Sequence, residues 1–276
     1  MQRFILLVVA AAALFTATPL SGQSRLRNAS RERRIEEALA AVAPAAVSAF
    51  RRATEALDSG RNAEAEPLFR EVTAAAPEFT PAMRRLGAVL IELGRDGEGL
   101  PLLKQAVQVE RSPENLSSLA LGLAYRAGGN MGSIGERQTA LGLAKEAARG
   151  NRDSDDDSYH ALAAQIAIGL DDTGSFREAV EALTSKHPGT PATHYFAAIA
   201  AAMDGRWEQA EREIREAERL GLPHEAAERF LASGVHSRAN VEVRALYGVP
   251  AGRVGSGLAG VVRRGTASLQ QGAVVD

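Results

Sequence analysis

The sequence predicts an all-α fold, a right-handed solenoid of about five helix hairpins with flanking helices. Three observations carry that reading. Residues 60–77, GRNAEAEPLFREVTAAAP, place a glycine at the end of one amphipathic helix and a proline at the end of the next, with Ala65 and Phe69 on one face between them. The pattern returns as Gly94 with Gly99 and Leu103, Gly174 with Ala179 and Leu183, and Gly205 with Ala210 and Ile214. Seven residues before Gly60, Gly94, Gly129, Gly174 and Gly205 stands a small residue: Ala53, Gly87, Gly122, Ala167 and Ala198. The spacing is about 34 residues per pair of helices. Composition agrees, because aromatic residues make up 5% of the chain, alanine is abundant and few β-branched residues alternate as strands require.

The bulk numbers also exclude function classes. A net charge of −2 implies no general affinity for nucleic acid. The chain has no cysteine, so disulfides, thiolate zinc sites and cysteine nucleophiles are absent.

At the N-terminus, Met1-Gln2-Arg3 precedes an apolar run over residues 4–17, which Thr18-Pro19-Leu20-Ser21-Gly22 breaks. Residues 1–22 read as a secretory signal peptide cut between Gly22 and Gln23. Gln23 stands where a lipoprotein would need cysteine. An uncleaved N-terminal anchor is the alternative. Its apolar run is shorter than the roughly 20 residues of a membrane span, while Arg25, Arg27, Arg31, Arg33 and Arg34 are of the kind that resists translocation. The expected location is the bacterial periplasm or beyond, or else the inner membrane through that anchor.

Residues 23–45 form a linker and a leading helix that shields the first repeat. Ile35, Leu39 and Val42 share one face, and Ser30 is its N-cap. Arginines here alternate with Glu32, Glu36 and Glu37, the mark of a solvated face. The repeats follow at 46–79, 80–114, 115–159, 160–189 and 190–222. The first carries Ala49, Ala53, Ala56 and Leu57 on its first helix. In the second, Thr80-Pro81-Ala82 supplies a capping hydroxyl and a proline at the first helical position, a device returning at Thr190-Pro191-Ala192.

The third repeat, from Asn115, reads Leu121-Gly122-x2-Tyr125 and then Gly129. Its second helix, with Ala140, Ala144 and Ala147, comes six residues late, so Gly128 to Gly135 is a flexible insertion. That insertion lacks the strand context and the lysine of a phosphate-binding loop. Residues 151–158, NRDSDDDS, space Asp153, Asp155 and Asp157 as a calcium loop does, but Ser158 and Ala164 stand where glycine and glutamate are required. They read as an acidic inter-repeat loop before a helix N-terminus.

The fourth repeat carries Ile166-Ala167-x2-Leu170 ahead of Gly174. Phe176 follows Gly174 at the offset at which Trp207 follows Gly205, so both rings are expected in the same gap. A capping helix spans 223–237, with Ala227, Phe230 and Leu231 covering the last repeat. Residues 238–276, with seven glycines between Gly248 and Gly272, form a disordered tail. Val241, Leu246, Tyr247 and Val249 are the residues through which it docks in part.

Met83-x2-Leu86-Gly87-x2-Leu90 matches the W-x2-L-G-x2-Y template in spacing and size, and over residues 46–222 the chain resembles the tetratricopeptide repeat (TPR) family. The resemblance implies that each repeat's first helix lines an inner groove at the second, fifth, ninth, twelfth and thirteenth positions of the unit. Carried across, these positions give Phe50, Thr54, Arg84, Ala88, Ile91, Leu119, Leu123, Arg126, Ile168, Tyr195 and Ile199. Some family members bind acidic peptides there through lysine and asparagine. This lining is mostly apolar and has no asparagine, so it implies an apolar or amphipathic peptide segment.

The implied function is a non-enzymatic protein–protein interaction scaffold, without cofactor, whose partner is a protein or peptide. Nucleic acid is not a partner, and a membrane is one only if the N-terminal segment stays uncleaved. The alternative is a small-ligand-binding or enzymatic module in the same groove, with Arg84, Arg126 and Tyr195 as its polar groups. His160, His187, His194, His224 and His236 lack metal spacing, and no GxSxG or Walker motif is present. In a third option residues 241–249 fold back into the groove until a partner displaces them.

Overall fold

Left-handed residues at helix ends divide the chain into hairpins. Gly60, Gly94, Asp171 and Gly205 have φ of 70°, 74°, 58° and 75°. Each sits in one hydrogen-bonded cap, in which the next amide reaches back five residues: Arg61 to Ala56, Arg95 to Leu90, Asp172 to Ala167 and Arg206 to Ala201, at 2.8–2.9 Å.

A computed structural model describes residues 29–151 and 156–233, among which there are twelve α-helices and no strand. The leading helix α1 (Ala29–Val42) passes through a 3₁₀ turn (Pro44–Ala46) into the first hairpin, α2 (Val47–Asp58) and α3 (Asn62–Ala75). The second hairpin is α4 (Thr80–Glu92) and α5 (Asp96–Val109), and the third is α6 (Pro113–Ala124) and α7 (Ile134–Gly150). Then come α8 (Ser158–Gly169) with α9 (Thr173–Lys186), and α10 (Pro191–Met203) with α11 (Trp207–Arg219). Helix α12 covers 224–233.

The two helices of each hairpin pack on each other, the second packs on the start of the next hairpin, and the first helices α4, α6, α8 and α10 also touch in succession. This is the all-α solenoid of stacked hairpins. Its interior forms two apolar clusters that divide within α4, one running from Leu39 to Leu90 and the other from Ile91 to Phe230. Ala227 and Phe230 of α12 close the last repeat. Residues 1–28, with the expected signal peptide and the start of the linker, residues 152–155 of the acidic loop and residues 234–276, with the expected tail, lie outside the described residues.

Four local expectations change. Gly174 lies inside α9, and the turn falls three residues earlier on Asp171, so the small residue of the fourth repeat is Ala164 rather than Ala167. Phe176 therefore stands where Ala65, Gly99 and Ala210 stand, while Trp207 begins α11; the two rings fill different places. Thr80 is not a cap: it is the first residue of α4 and its hydroxyl donates to Glu110 at 2.8 Å, whereas Thr190 does cap α10. Val42 points outward at 66% exposure, because the chain turns after it and buries Ala43 instead.

The third repeat shifts as well. Aligned from their N-caps, Ser112 and Phe79, α6 and α4 superpose Leu116, Leu119, Ala120 and Leu123 on Met83, Leu86, Gly87 and Leu90. Ala120 is then the small residue at the hairpin contact. A side chain on Gly122 would instead meet Ile91 and Leu103 of the preceding repeat, each at 2.7 Å.

The insertion after α6 is a hydrogen-bonded hairpin rather than a slack loop. Arg126 N–H donates to Asn130 O at 2.8 Å and Gly132 N–H to Ala124 O at 2.9 Å, and Ser133 with Glu136 forms a capping box opening α7.

The second hairpin is closest at Gly87 and Gly99. A Cβ on Gly99 would lie 2.7 Å from the Gly87 carbonyl, which cannot move as a side chain can. Gly97, two residues earlier in α5, has nothing within 4 Å. Gly99→Ala is expected to lower unfolding free energy by about 1–3 kcal/mol, and Gly97→Ala to raise it by up to about 1 kcal/mol. Urea denaturation of the two variants checks this, and equal midpoints would show that the helices do not meet at Gly99.

Candidate protein-binding face

The face made by the first helices is where the expected groove lies. Phe50, Ile91 and Tyr195 are closed inside the stack at 0–1% exposure, and Leu119, Leu123, Ile168 and Ile199 are buried too. Phe50 meets Phe69 and Phe79 edge-on at 6.0 and 5.8 Å, and Tyr195 meets Phe196 at 5.2 Å. Burial pushes the Tyr195 phenol pKa up. These side chains hold repeats together and offer a partner little surface.

The alignment of α6 on α4 gives the reason. Leu119 and Leu123 match the core residues Leu86 and Leu90, while Ser117 and Leu121 match Arg84 and Ala88. All four of the latter are half-buried, as residues lining a surface are. In α8, counting from the turn at Asp171 places Gln165, also half-buried, at the position of Ala88. In this alignment the face positions that the TPR resemblance implies fall on Arg84, Ala88, Ser117, Leu121 and Gln165. The sequence reading missed the last three because its register in these two repeats was wrong.

Arg126 leaves the face altogether. Its guanidinium bonds Asp96 at 3.1 Å and Glu136 at 2.6 Å, and donates to the Gly122 carbonyl, fastening the hairpin insertion to α5 and α7. Arg137 does the same on the other side, donating to Gly132 O at 3.1 Å and Gly169 O at 2.6 Å.

The charges of α1 do not merely face solvent. Glu36 accepts from Arg51 of α2 at 2.6 Å, which holds its carboxyl below the usual carboxylate range. Glu32 accepts from Arg85 Nη2 of α4 through both oxygens at 2.7 Å. Arg31 pairs with Glu114 of α6 and lies 3.4 Å from the Tyr159 hydroxyl and 3.8 Å from the Asp156 carboxylate beside α8. Read from Glu36 back to Arg31, α1 thus contacts first helices α2, α4, α6 and α8 in turn.

Arg85 is the centre of this arrangement, only 5% exposed. Its guanidinium carbon lies 4.6 Å from the Phe50 ring centroid and its Nη1 donates to Thr54 Oγ1 at 2.6 Å. The sequence carried a signal for this. Arg51 and Arg85 stand 34 residues apart, one in each of two repeats, and Glu32 and Glu36 are one helical turn apart.

With this geometry in place, comparison with known proteins adds a match over part of the chain. Residues 50–115 match the tetratricopeptide repeat. A thermophilic TPR protein from Thermus thermophilus superposes with a TM-score of 0.55 at 18% identity, over 69% of this chain and 98% of that one. The fold is a tetratricopeptide-repeat solenoid. Pseudomonas aeruginosa pilF gives a TM-score of 0.56 at 12% identity over 75% and 94% of the two chains. A TPR protein from Parabacteroides merdae gives 0.54 at 15% over 83% and 92%. No curated protein matches the chain by sequence. TPR folds commonly mediate protein–protein interaction.

Among the described residues no three His, Asp or Glu side chains gather as a metal site would need. Helix α8 and the residue that follows α9 do bring His160 and His187 together, both buried, with ring centroids 5.8 Å apart. Burial lowers the His160 pKa, and the Lys186 and His187 charges lower it further against a smaller opposing pull from Asp157.

A lowered imidazole pKa means the unfolded chain takes up the proton first. The stability contributed by neutral His160 is therefore complete above about pH 6.5 and is lost as pH falls below it toward the folded value. His224, raised by Glu218, works in the opposite sense, losing its contribution as pH rises through its own raised value. Asp204, held at about 2 by Arg177 and Arg206, loses its contribution only in stronger acid. Between pH 7.5 and 5.5 the unchanged chain should therefore lose Tm relative to His160→Gln. Identical slopes in calorimetry would remove His160 as the cause.

Proposed function

We propose that the protein is a non-enzymatic scaffold of the cell envelope that holds a protein segment along its first-helix face. The observation that carries this reading is that the face already holds a helical segment. Helix α1 lies against successive first helices through side-chain pairs on α2, α4 and α6. A surface built by repetition offers one contact set per repeat, which suits an extended or helical ligand. The accessible lining beyond α1 is mixed, with Leu121 beside Ser117 and Gln165, so an amphipathic segment fits better than a wholly apolar one.

A photo-reactive amino acid placed at Leu121 or Gln165 tests this. Both positions are expected to cross-link the same envelope protein, while Thr184, exposed on the second helix α9, captures none. Equal capture at all three positions rejects the first-helix face as the binding surface.

Export belongs to the same proposal. The apolar run over residues 4–17 behind a basic start supports a cleaved signal peptide and a place in the periplasm or outside the cell. Intact-mass measurement of the protein purified from its native source should find a chain beginning near Gln23. A chain beginning at Met1 favours the anchored alternative.

A further inference from the structure

The way α1 is held says what the face recognises. Arg85 sits against the Phe50 ring and donates Nη1 to Thr54, and Glu32 brings both oxygens to Nη2. A guanidinium seated in this way presents Nη2 to one carboxylate in a charge-assisted hydrogen bond. Arg51, in the same place one repeat earlier, takes Glu36 through Nε at 3.3 Å and Nη2 at 2.6 Å. The repeat supplies two arginines, and one turn of helix supplies two glutamates to meet them. Glu114, with Asp156 farther off, offers the opposite charge to the residue preceding the first glutamate.

The occupant is weakly anchored for a helix of its length. Leu39 is its only buried residue, against six in α2. It has no hairpin partner, and its backbone packs on α2 and the Pro44–Ala46 turn. Its N-terminal half is held by pairs to Arg51, Arg85 and Glu114 and by Ile35 against the first apolar cluster, and partly exposed pairs weaken with salt. Elements with few buried contacts open before the rest of a fold does.

We propose that the arginines of α2 and α4 form a receptor for a protein helix carrying two carboxylates four residues apart behind a basic residue, and that α1 is its resident occupant. A partner helix with this Arg-Glu-x3-Glu pattern displaces α1 and takes Arg51 and Arg85. The inference rests on the scaffold reading but names the partner's chemistry and places its competitor within the chain.

The test uses the full chain and a fluorescent peptide of residues 29–42, followed by anisotropy and by hydrogen exchange of the chain's own α1. The Glu32→Gln/Glu36→Gln chain should bind this peptide about tenfold more tightly than the unchanged chain, because loosening the occupant raises the open fraction. Adding Arg85→Gln should abolish the gain, and a peptide carrying the same two glutamines should not bind. A measurement without substitution guards against misfolding. Excess peptide added to the unchanged chain should speed exchange in α1 and leave α2 and α4 protected.

Equal peptide binding by the unchanged and substituted chains overturns the proposal. So does α1 exchange that stays as slow as that of α2 under excess peptide, or peptide-independent dimerisation of the substituted chain. Partner cross-linking at Leu121 and Gln165 with no peptide binding would keep the scaffold and reject the carboxylate receptor. Loss of both rejects the two readings together.

Discussion

The two helices of a hairpin can approach only as closely as the side chains between them allow. In the second repeat the contact is between Gly87 and Gly99, where even one added carbon on Gly99 would press on a carbonyl. The rest of the packing follows from that closeness. Leu103 and Ile91 both extend to Gly122 of the third repeat, so a glycine that by its place in the sequence belongs to one hairpin is the seat for the previous one. The corresponding positions in the first and fifth repeats are alanines, Ala53 and Ala65, and Ala198 and Ala210, all at 0–1% exposure. In the fourth, Phe176 stands at the second of these places, and the hairpin accommodates a ring where its neighbours have a methyl or less.

That constraint also decides how much of the fold was legible. Repeats one, two and five declare themselves because a glycine takes the left-handed turn and the small residues fall at fixed distances from it. In repeat four the left-handed residue is Asp171, one of the few side chains that tolerate that region, and a glycine three residues on draws the eye. Nothing in α8 resists the slip, since SYHALAAQIAIG is apolar on nearly every side and buries nine of its residues. Repeat three misleads in another way. Gly128 and Gly129 both have positive φ, but the helix has already stopped at Ala124, where the Gly132 amide takes its carbonyl.

In repeats three and four an error of two or three residues leaves an all-α fold intact but rotates the helix face; Phe50, Ile91, Tyr195 and Ile199, in repeats whose register held, are buried all the same. A residue two or three places along a helix points some 200–300° away. Leu119 and Leu123 therefore enter the core, and Ser117 and Leu121 replace them on the surface. The charge pairs were hidden for a different reason. Arg85 and Glu32 lie 53 residues apart, and Arg31 and Glu114 lie 83 apart, so only their repetition in sequence could have marked them.

The buried arginine bears on what kind of site this face is. Removing a guanidinium from water is costly, and a carboxylate that matches it makes the pair specific more than it makes the protein stable. With Phe50, Ile91 and Tyr195 closed in the core, an apolar grip is not what distinguishes one ligand from another here. Arg126 is committed to Asp96 and Glu136, so the polar groups that a small-molecule site would need do not converge. On the scaffold reading proposed above, recognition is spread along the stack, one helix at a time: a carboxylate at Arg51, another at Arg85, a cation at Glu114. Only a chain long enough to cross several repeats can collect these contacts together, and that favours a protein segment over a metabolite as the ligand.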